Sequence, residues 1–346
     1  MVVLGIDAHK RNHTVVAVDA GGAELGRLTV PADSEGHLKA VRWAARFEPH
    51  RFAIEDCRHL SRRFEVDLLA AGERVTRVPP KLMAGARRSA RTRGKSDPID
   101  ALAVARAALR EPDLPQACLE GPAREVRLLV EYRERLVRER TAHQNSLRWR
   151  LHELEPGYDP PAGALDRYCL LAEIGELLAD REGIVADLAR REVARIVTLT
   201  EESNQLEKEI AARVKDLAPA LLALPGCGVL TAAKLVGETA GVSRFKNRDA
   251  YAAWNGTAPI PAWSGIDQRF RLNRGGNRQA NAALYRIAIT QLRCHPPAQT
   301  FRARRLGMGD TKAEALRALK RRLSDVVYRL LEQDIPQQKD TTTMPA

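Results

Sequence analysis

Short runs of branched and small apolar residues alternate with polar turns over the first third of the chain. This pattern is typical of buried β-strands. It predicts five of them, over residues 2–7, 13–19, 24–30, 51–55 and 75–78. Apolar residues at three- and four-residue steps predict helices over residues 34–46 and 60–71, between the later strands. The first 110 or so residues are therefore expected to form a mixed α/β domain.

The pattern changes near residue 123, where leucines recur at three- and four-residue steps and charged residues fill the other positions. Two long amphipathic helices are predicted, over residues 123–154 and 185–217. A proline- and glycine-rich break at 156–163 and a shorter helix at 165–178 separate them. The nearly heptad spacing predicts a coiled-coil arm. The two helices can fold on each other as a hairpin, pair with another subunit, or do both.

After residue 217 the chain is predicted to be mostly helical. The segment LPGCGVLTAAKLVGE, residues 224–238, has two glycines between apolar helical flanks. It fits either the hairpin of a helix-hairpin-helix, which offers backbone amides to a phosphate, or an ordinary turn between two helices. Further helices are predicted over 281–292 and 312–331, and the polar tail from residue 335 is expected to be disordered.

Composition and charge narrow the class of partner. The chain has 346 residues, a net charge of +12 and 44% hydrophobic residues, enough for real cores. The sequence pI is near 9.8, and such an excess of positive charge favours a polyanionic partner, most often nucleic acid. No CxxC motif, signal peptide or membrane-spanning run is visible. We therefore expect a cytoplasmic protein that binds neither zinc nor membranes.

Four carboxylates lie at the ends of predicted elements. Asp7 ends the first strand, Glu55 ends the fourth, and Asp97 and Asp100 share the first turn of a helix that begins at SDPIDA. Simpler roles remain open: a turn amide can satisfy Asp7, Asp97 can be the N-cap of the helix, and Asp100 can interact favourably with the helix dipole. Together, however, four acids from three segments suit Mg²⁺, either as two ions or as one ion plus substrate.

Two basic segments accompany these acids and a candidate nucleophile. Before Asp97 lies a cluster of basic residues made of Arg87, Arg88, Arg91, Arg93 and Lys95. Far downstream, Ser264 lies in a loop that is followed by Arg269, Arg271, Arg274 and Arg278. The basic residues are candidates for holding a nucleic-acid backbone. A loop serine followed by glycine is usually part of a turn, but among arginines it can also act as a nucleophile on phosphate.

The motifs IDAHK, AIE, KSDPIDA, LPGCGVLTAAKLVGE and GTAPIPAWSGIDQRFRLNRGGNRQANAAL together resemble one family. It is the DEDD transposase family of bacterial insertion sequences, also called bridge-RNA-guided recombinases. The resemblance covers nearly the whole chain, in the order in which the motifs occur in that family. It makes the nucleophile interpretation of Ser264 the favoured one.

The resemblance implies a division of the chain. Residues 1–115 would form a RuvC-like, RNase H-like α/β catalytic domain, and residues 116–217 a helical coiled-coil arm. Residues 218–334 would form a mostly α-helical transposase domain that carries the catalytic serine, and residues 335–346 a disordered tail.

The resemblance also implies a chemistry. The four acids of the family map onto Asp7, Glu55, Asp97 and Asp100, which would bind magnesium, and its catalytic serine maps onto Ser264. That serine would attack DNA to form a phosphoserine link, and a different subunit would supply it from the one that supplies the acids. A homo-oligomer, dimer or tetramer, is implied through the arm. An RNA from the non-coding flank of the element would pair with donor and target DNA.

Two other functions compete with the recombinase. A RuvC-like junction nuclease would use metal-activated water without a covalent intermediate, which leaves Ser264 without a chemical role. A nucleic-acid-binding protein without catalytic activity would explain the charge, but the presence of all four acids argues against it.

Overall fold

The computed structural model describes residues 1–56, 58–79, 82–83, 96–111, 114, 116–117, 121–262, 270–273 and 275–335. The chain forms two compact units, Met1–Leu119 and Glu120–Ala346. The predicted disordered tail lies outside the described residues, apart from residue 335. Among the helices described, none is long and apolar enough to cross a lipid bilayer.

The first unit is built on a five-stranded sheet with the order β3-β2-β1-β4-β5. β1, β2 and β3 form an antiparallel meander, while β4 pairs parallel with β1 and β5 pairs parallel with β4. The strands are Val2–Ala8 (β1), Asn12–Val18 (β2), Glu24–Pro31 (β3), His50–Glu55 (β4) and Val75–Val78 (β5). All five predicted strands are present, and this order and direction confirm the RNase H-like fold.

Helices cover both faces of this sheet. They are Ser34–Ala44 (α1), Arg58–Ala70 (α2) and Asp97–Arg110 (α3). Alternate residues of β1 enter different cores, because successive side chains of a strand point to opposite faces. Leu4 and Ile6 belong to the core that includes residues of α1 and α2, whereas Val3 belongs to the core that includes α3. This burial on both sides explains why β1 is an almost continuous apolar run.

The alternative role of Asp97 as the N-cap of its helix is wrong. The N-cap of α3 is Ser96, whose side chain makes no capping hydrogen bond, and Asp97 is the first residue of the helix. Pro98 follows it, where its missing backbone N–H costs nothing. The Asp97 carboxylate therefore has no capping role and is available for other partners.

In its described residues, the second unit is helical apart from a two-stranded ribbon, Ile260–Pro261 (β6) with Phe270–Arg271 (β7). Its helices are Gly121–Leu154 (α4), Tyr168–Ala179 (α5), Ile184–Leu217 (α6), Pro219–Leu222 (α7), Val229–Thr239 (α8), Arg248–Trp254 (α9), Arg278–Cys294 (α10), Pro296–Gly307 (α11) and Lys312–Gln333 (α12).

The helices α4 and α6, of 34 residues each, pack on each other as an antiparallel hairpin. Arg133 of α4 donates to Glu207 of α6 at 2.7 Å, and farther along α4 the ring of His143 lies 2.5 Å from Glu192. Partner numbers fall along α6 as they rise along α4, which establishes the antiparallel direction. The hairpin alternative for the arm is therefore correct, and pairing with another subunit remains a prediction.

The base of this hairpin shares a core with the C-terminal helices. Val126 and Val130 of α4 and Ile210 of α6 belong to the same buried cluster as Leu284 of α10 and Leu323 of α12. The predicted division of this region into an arm and a separate C-terminal domain, at residue 217, stays a prediction.

Helix α8 lies against the base of α4 with almost no space between the two backbones. A Cβ atom added to Gly237 would lie 2.8 Å from the Cβ of Arg127 and 2.9 Å from its Cα. Three residues earlier, the buried ammonium of Lys234 lies 2.7 Å from the carboxylate of Glu134. A close backbone contact and an ion pair between the buried Lys234 and the half-buried Glu134 thus fix α8 on α4.

The glycine-rich turn of LPGCG joins α7 to α8 and packs against α10. Gly226 has a φ of +82°, which a residue with a side chain adopts only under strain. Its neighbour Pro225 accepts a hydrogen bond from the side-chain amide of Gln291 at 2.8 Å. The turn therefore has an internal packing role, and this observation favours the ordinary turn over a phosphate-binding hairpin.

Candidate active site

The candidate site begins with Asp7, at the end of the strand in the middle of the sheet. Asp7 is the penultimate residue of β1, pairs with Thr14 of β2 and is only 7% exposed. Burying a carboxylate costs free energy unless charge or hydrogen bonds compensate for it. A buried acid at this position therefore calls for a partner.

Gly5 determines how closely helix α3 approaches this strand. A Cβ on Gly5 would lie 2.1 Å from the carbonyl oxygen of Ala101 and 2.6 Å from the amide nitrogen of Ala105. No side chain fits that space, so the backbone of α3 lies directly against β1. The first turn of α3, with Asp97 and Asp100, is thereby held beside the end of β1.

Asp7 and Asp97 meet through His9. Nε2 of His9 donates to Oδ2 of Asp7 at 2.9 Å and lies 3.5 Å from Oδ1 of Asp97. One ligand atom from each of these three residues lies within 4.8 Å of the others. Asp7 is buried, while His9 and Asp97 are exposed, so the group opens to solvent on one side.

The other two predicted acids lie at this end of the sheet but outside that group. Ile6 pairs with Ile54 in the parallel register, so Asp7 and Glu55 follow at neighbouring positions on adjacent strands. Asp100 is buried, and its charge acts on Asp7. The four acids therefore come from β1, β4 and α3, as the sequence indicates, and the tight group within the described chain consists of Asp7, Asp97 and His9.

The electrostatics of Asp7 reflect this crowding. Burial raises the pKa of Asp7 above its ordinary value of 3.8, and the nearby carboxylates of Asp100 and Asp97 raise it further. The hydrogen bond from His9 and its charge act in the opposite direction without reversing the shift. A site where carboxylates repel one another in this way favours an added cation.

Two other acids that compete in the sequence have different surroundings. Asp19 accepts hydrogen bonds from the backbone amides of Gly21 and Ala23, both at 2.9 Å, and so stabilises the turn after β2. Asp56 follows Glu55 beyond the end of β4, and its backbone amide donates to the carbonyl of Val78. Neither residue is in the group around Asp7.

Part of the predicted site lies outside the described residues. Ser264, Arg269 and Arg274 lie outside the described residues, as does the basic cluster of Arg87, Arg88, Arg91, Arg93 and Lys95. The chain on either side of Ser264 is described: Pro261 of β6 pairs with Phe270 of β7, and the eight residues 262–269 join the two strands.

Two of the predicted arginines border cavities next to this ribbon. The exposed Arg271 lines a cleft of about 710 Å³, and the exposed Arg278 lines a smaller one of about 390 Å³. The larger cleft carries an excess of basic over acidic side chains. They are Arg271, Arg305, Arg317, Lys320 and Arg321, against Asp310 and Glu314.

The predicted site residues do not include His9. The predicted helix over residues 312–331 is basic and amphipathic, which suits nucleic acid or the arm as its partner, and it is present as α12. His9 lies two residues after Asp7, a spacing that places both side chains on one face of an extended chain. Lys320 and Arg321 lie three and four residues after Arg317, which places both beside Arg317 on one side of the helix. Both signals were present in the sequence, although neither is specific by itself.

Comparison with known families covers both units. A model for DEDD transposases of the IS110 type, described as "Transposase", matches residues 4–156. A second model, described as "Transposase IS116/IS110/IS902 family", matches residues 218–303. The two matches include all four acids and Ser264, in the order that the resemblance implies. The chain belongs to the IS110/IS116 family of DEDD transposases.

Individual relatives agree with this assignment along the full length of the transposase. The chain is 26% identical to the 44.8 kDa protein of insertion element IS116 from Streptomyces clavuligerus, over 95% of this chain and 94% of that protein. It is also 26% identical to the 42 kDa protein of insertion element IS900 from Mycobacterium paratuberculosis, over 99% and 98%. It is 30% identical to the 43.6 kDa protein of insertion element IS110 from Streptomyces coelicolor, over 39% of this chain and 34% of that protein.

Solved structures of RuvC resemble part of the transposase. RuvC from Thermus thermophilus shares 18% sequence identity and matches with a TM-score of 0.28, over 34% of this chain and all of that chain. RuvC in complex with a Holliday junction substrate gives a TM-score of 0.27 over the same share of this chain. Scores this low carry no weight, and the RNase H-like assignment rests on the strand order of the sheet.

The acids of the transposase fit a divalent cation. Carboxylate oxygens are the ligands that hard cations such as Mg²⁺ take. Asp7 is buried and crowded by other carboxylates, and Asp97 brings an exposed carboxylate within reach of it. The donor set and its excess negative charge suit such an ion, with His9 as a neighbouring nitrogen donor.

Proposed function

We propose that this transposase cuts and rejoins DNA through a phosphoserine intermediate formed on Ser264, with Mg²⁺ held by the four acids. An RNA encoded by the element would guide the choice of donor and target DNA. The observation that carries the proposal is the group around Asp7 and Asp97, whose ligand atoms lie within 4.8 Å. It occurs in a chain whose two halves both match the transposase family.

The proposed chemistry exchanges one ester bond for another. The hydroxyl oxygen of Ser264 attacks the scissile phosphorus, a bond forms between serine and phosphate, and the bond to the departing DNA oxygen breaks. The proton of the serine ends on that departing hydroxyl. The phosphoserine conserves the energy of the phosphodiester, so a DNA hydroxyl can attack it and rejoin the strand without ATP.

The acids position the reacting phosphate in this scheme. Asp7, Glu55, Asp97 and Asp100 would hold the ion and orient it toward the phosphate. When bound, Mg²⁺ supplies charge that polarises the scissile phosphate and stabilises the transition state. The close contact of α3 with β1 at Gly5 keeps the pair of acids on α3 at a constant distance from Asp7.

Basic residues would hold the nucleic acids. Arg271 borders a basic cleft next to the ribbon, and charged side chains of this kind bind phosphate backbones without reading sequence. The cluster at residues 87–95 and the arginines at 269, 274 and 278 are proposed for the same task, on donor DNA, target DNA and guide RNA. A dimer or tetramer assembled through the arm would let one subunit supply the serine and another the acids.

A search for a covalent protein–DNA adduct tests the proposal. The protein is expressed with the DNA and flanking RNA of its element, denatured completely, and assayed for DNA that remains attached. The unsubstituted protein is compared with Ser264→Ala, and with Ser146→Ala on the arm as a matched serine control. An adduct should form in the presence of Mg²⁺ in the unsubstituted protein and in Ser146→Ala, and should be absent from Ser264→Ala and in the presence of EDTA.

Two other outcomes would reject the proposal. DNA that is cleaved without an adduct, equally in Ser264→Ala, would indicate a metal-dependent nuclease that uses water. An adduct that persists in Ser264→Ala would assign the nucleophile to another residue.

A further inference from the structure

The β-hairpin formed by β6 and β7, in whose connecting segment Ser264 lies, has very short strands. β6 and β7 contain two residues each, and a ribbon this short is not stable by itself. Its geometry must therefore come from the segments on either side. We call these segments the hairpin feet, residues 255–257 before β6 and residues 275–277 after β7.

The two feet touch backbone to backbone. A Cβ on Gly276 would lie 2.2 Å from the amide nitrogen of Gly256 and 2.4 Å from its Cα. The amide of Asn277 also donates to the carbonyl of Trp254 at 2.7 Å. No side chain fits between the feet, so their separation is set by backbone contact.

A buried amide attaches the first foot to helix α12. Asn255 is completely buried, and its side-chain nitrogen donates to the hydroxyl of Ser324 at 2.7 Å. Its side-chain oxygen accepts from the hydroxyl of Thr257 at 2.7 Å. The amide of Asn255 thus has partners on both its donor and its acceptor side, and a satisfied buried network favours a single arrangement.

Asn281 and Lys320 connect the same foot to α10 and α12. The side-chain nitrogen of Asn281 donates to the backbone carbonyl of Asn255 at 2.8 Å. The ammonium of Lys320 donates to the side-chain oxygen of Asn281 at 2.5 Å. Lys320 lines both cavities next to the ribbon. The foot therefore receives a hydrogen bond from α10, and α12 supports the residue that donates it.

We propose that Gly276, Asn281 and Lys320 are positioning residues for the covalent step. They fix the hairpin feet and thereby the spacing of β6 and β7, the two strands on either side of the segment that contains Ser264. This inference rests on the proposed role of Ser264 as the nucleophile. It assigns the three residues an effect on the rate of the covalent step, exerted through the backbone of the hairpin.

The test measures the single-turnover rate of adduct formation at saturating DNA, together with DNA affinity and melting temperature. Gly276→Ala places a methyl group against Gly256, whereas Gly307→Ala is the matched control because no atom lies within 4 Å of its added Cβ. Displacing a reacting group by about 1 Å can cost up to about a hundredfold in rate. Gly276→Ala should therefore form the adduct about tenfold to a hundredfold more slowly. Its DNA affinity should change less than about twofold, and Gly307→Ala should behave as the unsubstituted protein does.

If Gly276→Ala does not fold, Asn281→Ala tests the proposed positioning role instead. It should also slow adduct formation at unchanged DNA affinity. Lys320 acts on the foot through Asn281, whose side chain makes the hydrogen bond to the carbonyl of Asn255. The double variant Asn281→Ala/Lys320→Ala should therefore be no slower than the slower single variant. Lys320→Arg, which keeps a donor for Asn281, should recover most of the rate lost in Lys320→Ala.

The outcomes separate this inference from the proposed function. An adduct in the unsubstituted protein, formed as fast by Asn281→Ala and by folded Gly276→Ala, would overturn the positioning role and leave the serine mechanism intact. Rates that fall only in parallel with DNA affinity or melting temperature would overturn it as well. The absence of any adduct in the unsubstituted protein would overturn both proposals together.

Discussion

His13 makes the stability of the first unit depend on pH. It lies on β2, is 2% exposed, and stacks on Phe64 with ring centroids 4.8 Å apart. The ring of His37 also stacks on Phe64, with ring centroids 4.4 Å apart. Nδ1 of His13 has no hydrogen-bond partner in the described structure. Burial, together with the nearby His37 and His9, lowers the pKa of His13 from 6.5 to about 4.

The sign of the effect follows from this shift. Because the folded pKa lies below the unfolded one, the unfolded chain binds more protons between pH 4 and pH 6.5. The contribution of the neutral His13 to the free energy of unfolding is therefore complete above pH 6.5 and is lost as the pH falls toward 4. Linkage between the two pKa values gives a loss of about 2 kcal/mol between pH 7.5 and pH 5.0 from this single imidazole.

Hydrogen exchange measures this loss within the first unit alone. Amide protection of peptides from β1 and β2 is compared at pH 7.5 and pH 5.0, after correction for the intrinsic exchange rate, in the unsubstituted protein and in His13→Phe. The phenyl ring keeps the stack on Phe64 but has no proton to gain, so the variant should lose about 2 kcal/mol less protection on acidification. His152→Phe, at an exposed position of α4, is the control and should respond as the unsubstituted protein does. An equal response of His13→Phe and the unsubstituted protein would refute the argument from burial.

The remaining predictions concern the site. Asp97→Ala should abolish strand cleavage while DNA affinity stays within about twofold, and a parallel loss of affinity in a binding assay would give Asp97 a structural role instead. Gly5→Ala should push α3 away from β1 and reduce the rate of Mg²⁺-dependent cleavage at least about tenfold. Gly157→Ala, whose added Cβ has open space around it, is the control and should cleave at the rate of the unsubstituted protein. Equal cleavage rates in the two variants would contradict the role given to the contact between α3 and β1. Mixing Asp97→Ala with Ser264→Ala chains should restore activity that neither has alone, unless a single subunit supplies both groups. The logarithm of DNA affinity should fall linearly with the logarithm of salt concentration, and a flat titration would count against backbone binding by the basic residues.

The sheet was largely predictable because its strands are short apolar runs bounded by turn residues. Val2, Leu4 and Ile6 identify β1 without reference to the rest of the chain. The parallel pairing of Ile6 with Ile54 was not predictable in the same way, since nothing local records which strand lies beside which. The placement of Glu55 next to Asp7 follows from that pairing, and the resemblance to a known family indicated it before the structure did.

The capping and network details needed three-dimensional contacts. Ser96 and Asp97 are both good N-cap residues, and the local sequence does not decide between them. Asn255 and Ser324 are 69 residues apart in the chain, and no periodicity connects them. His9 is an exposed residue, and its place in the site follows only from its distance to Asp97 of α3, which the sequence does not give.

The contact between Gly237 and Arg127 has a consequence for reach. From Arg127 to Leu154, α4 extends about 40 Å beyond the place where α8 holds it, at 1.5 Å per residue. A tilt of about 10° at that point would move the far end of the helix by about 7 Å, more than the length of one helical turn. A methyl group added at Gly237 would therefore tilt α4 where α8 holds it. The far end of the α4–α6 hairpin, and any molecule bound there, would be displaced several times farther than the size of the methyl group.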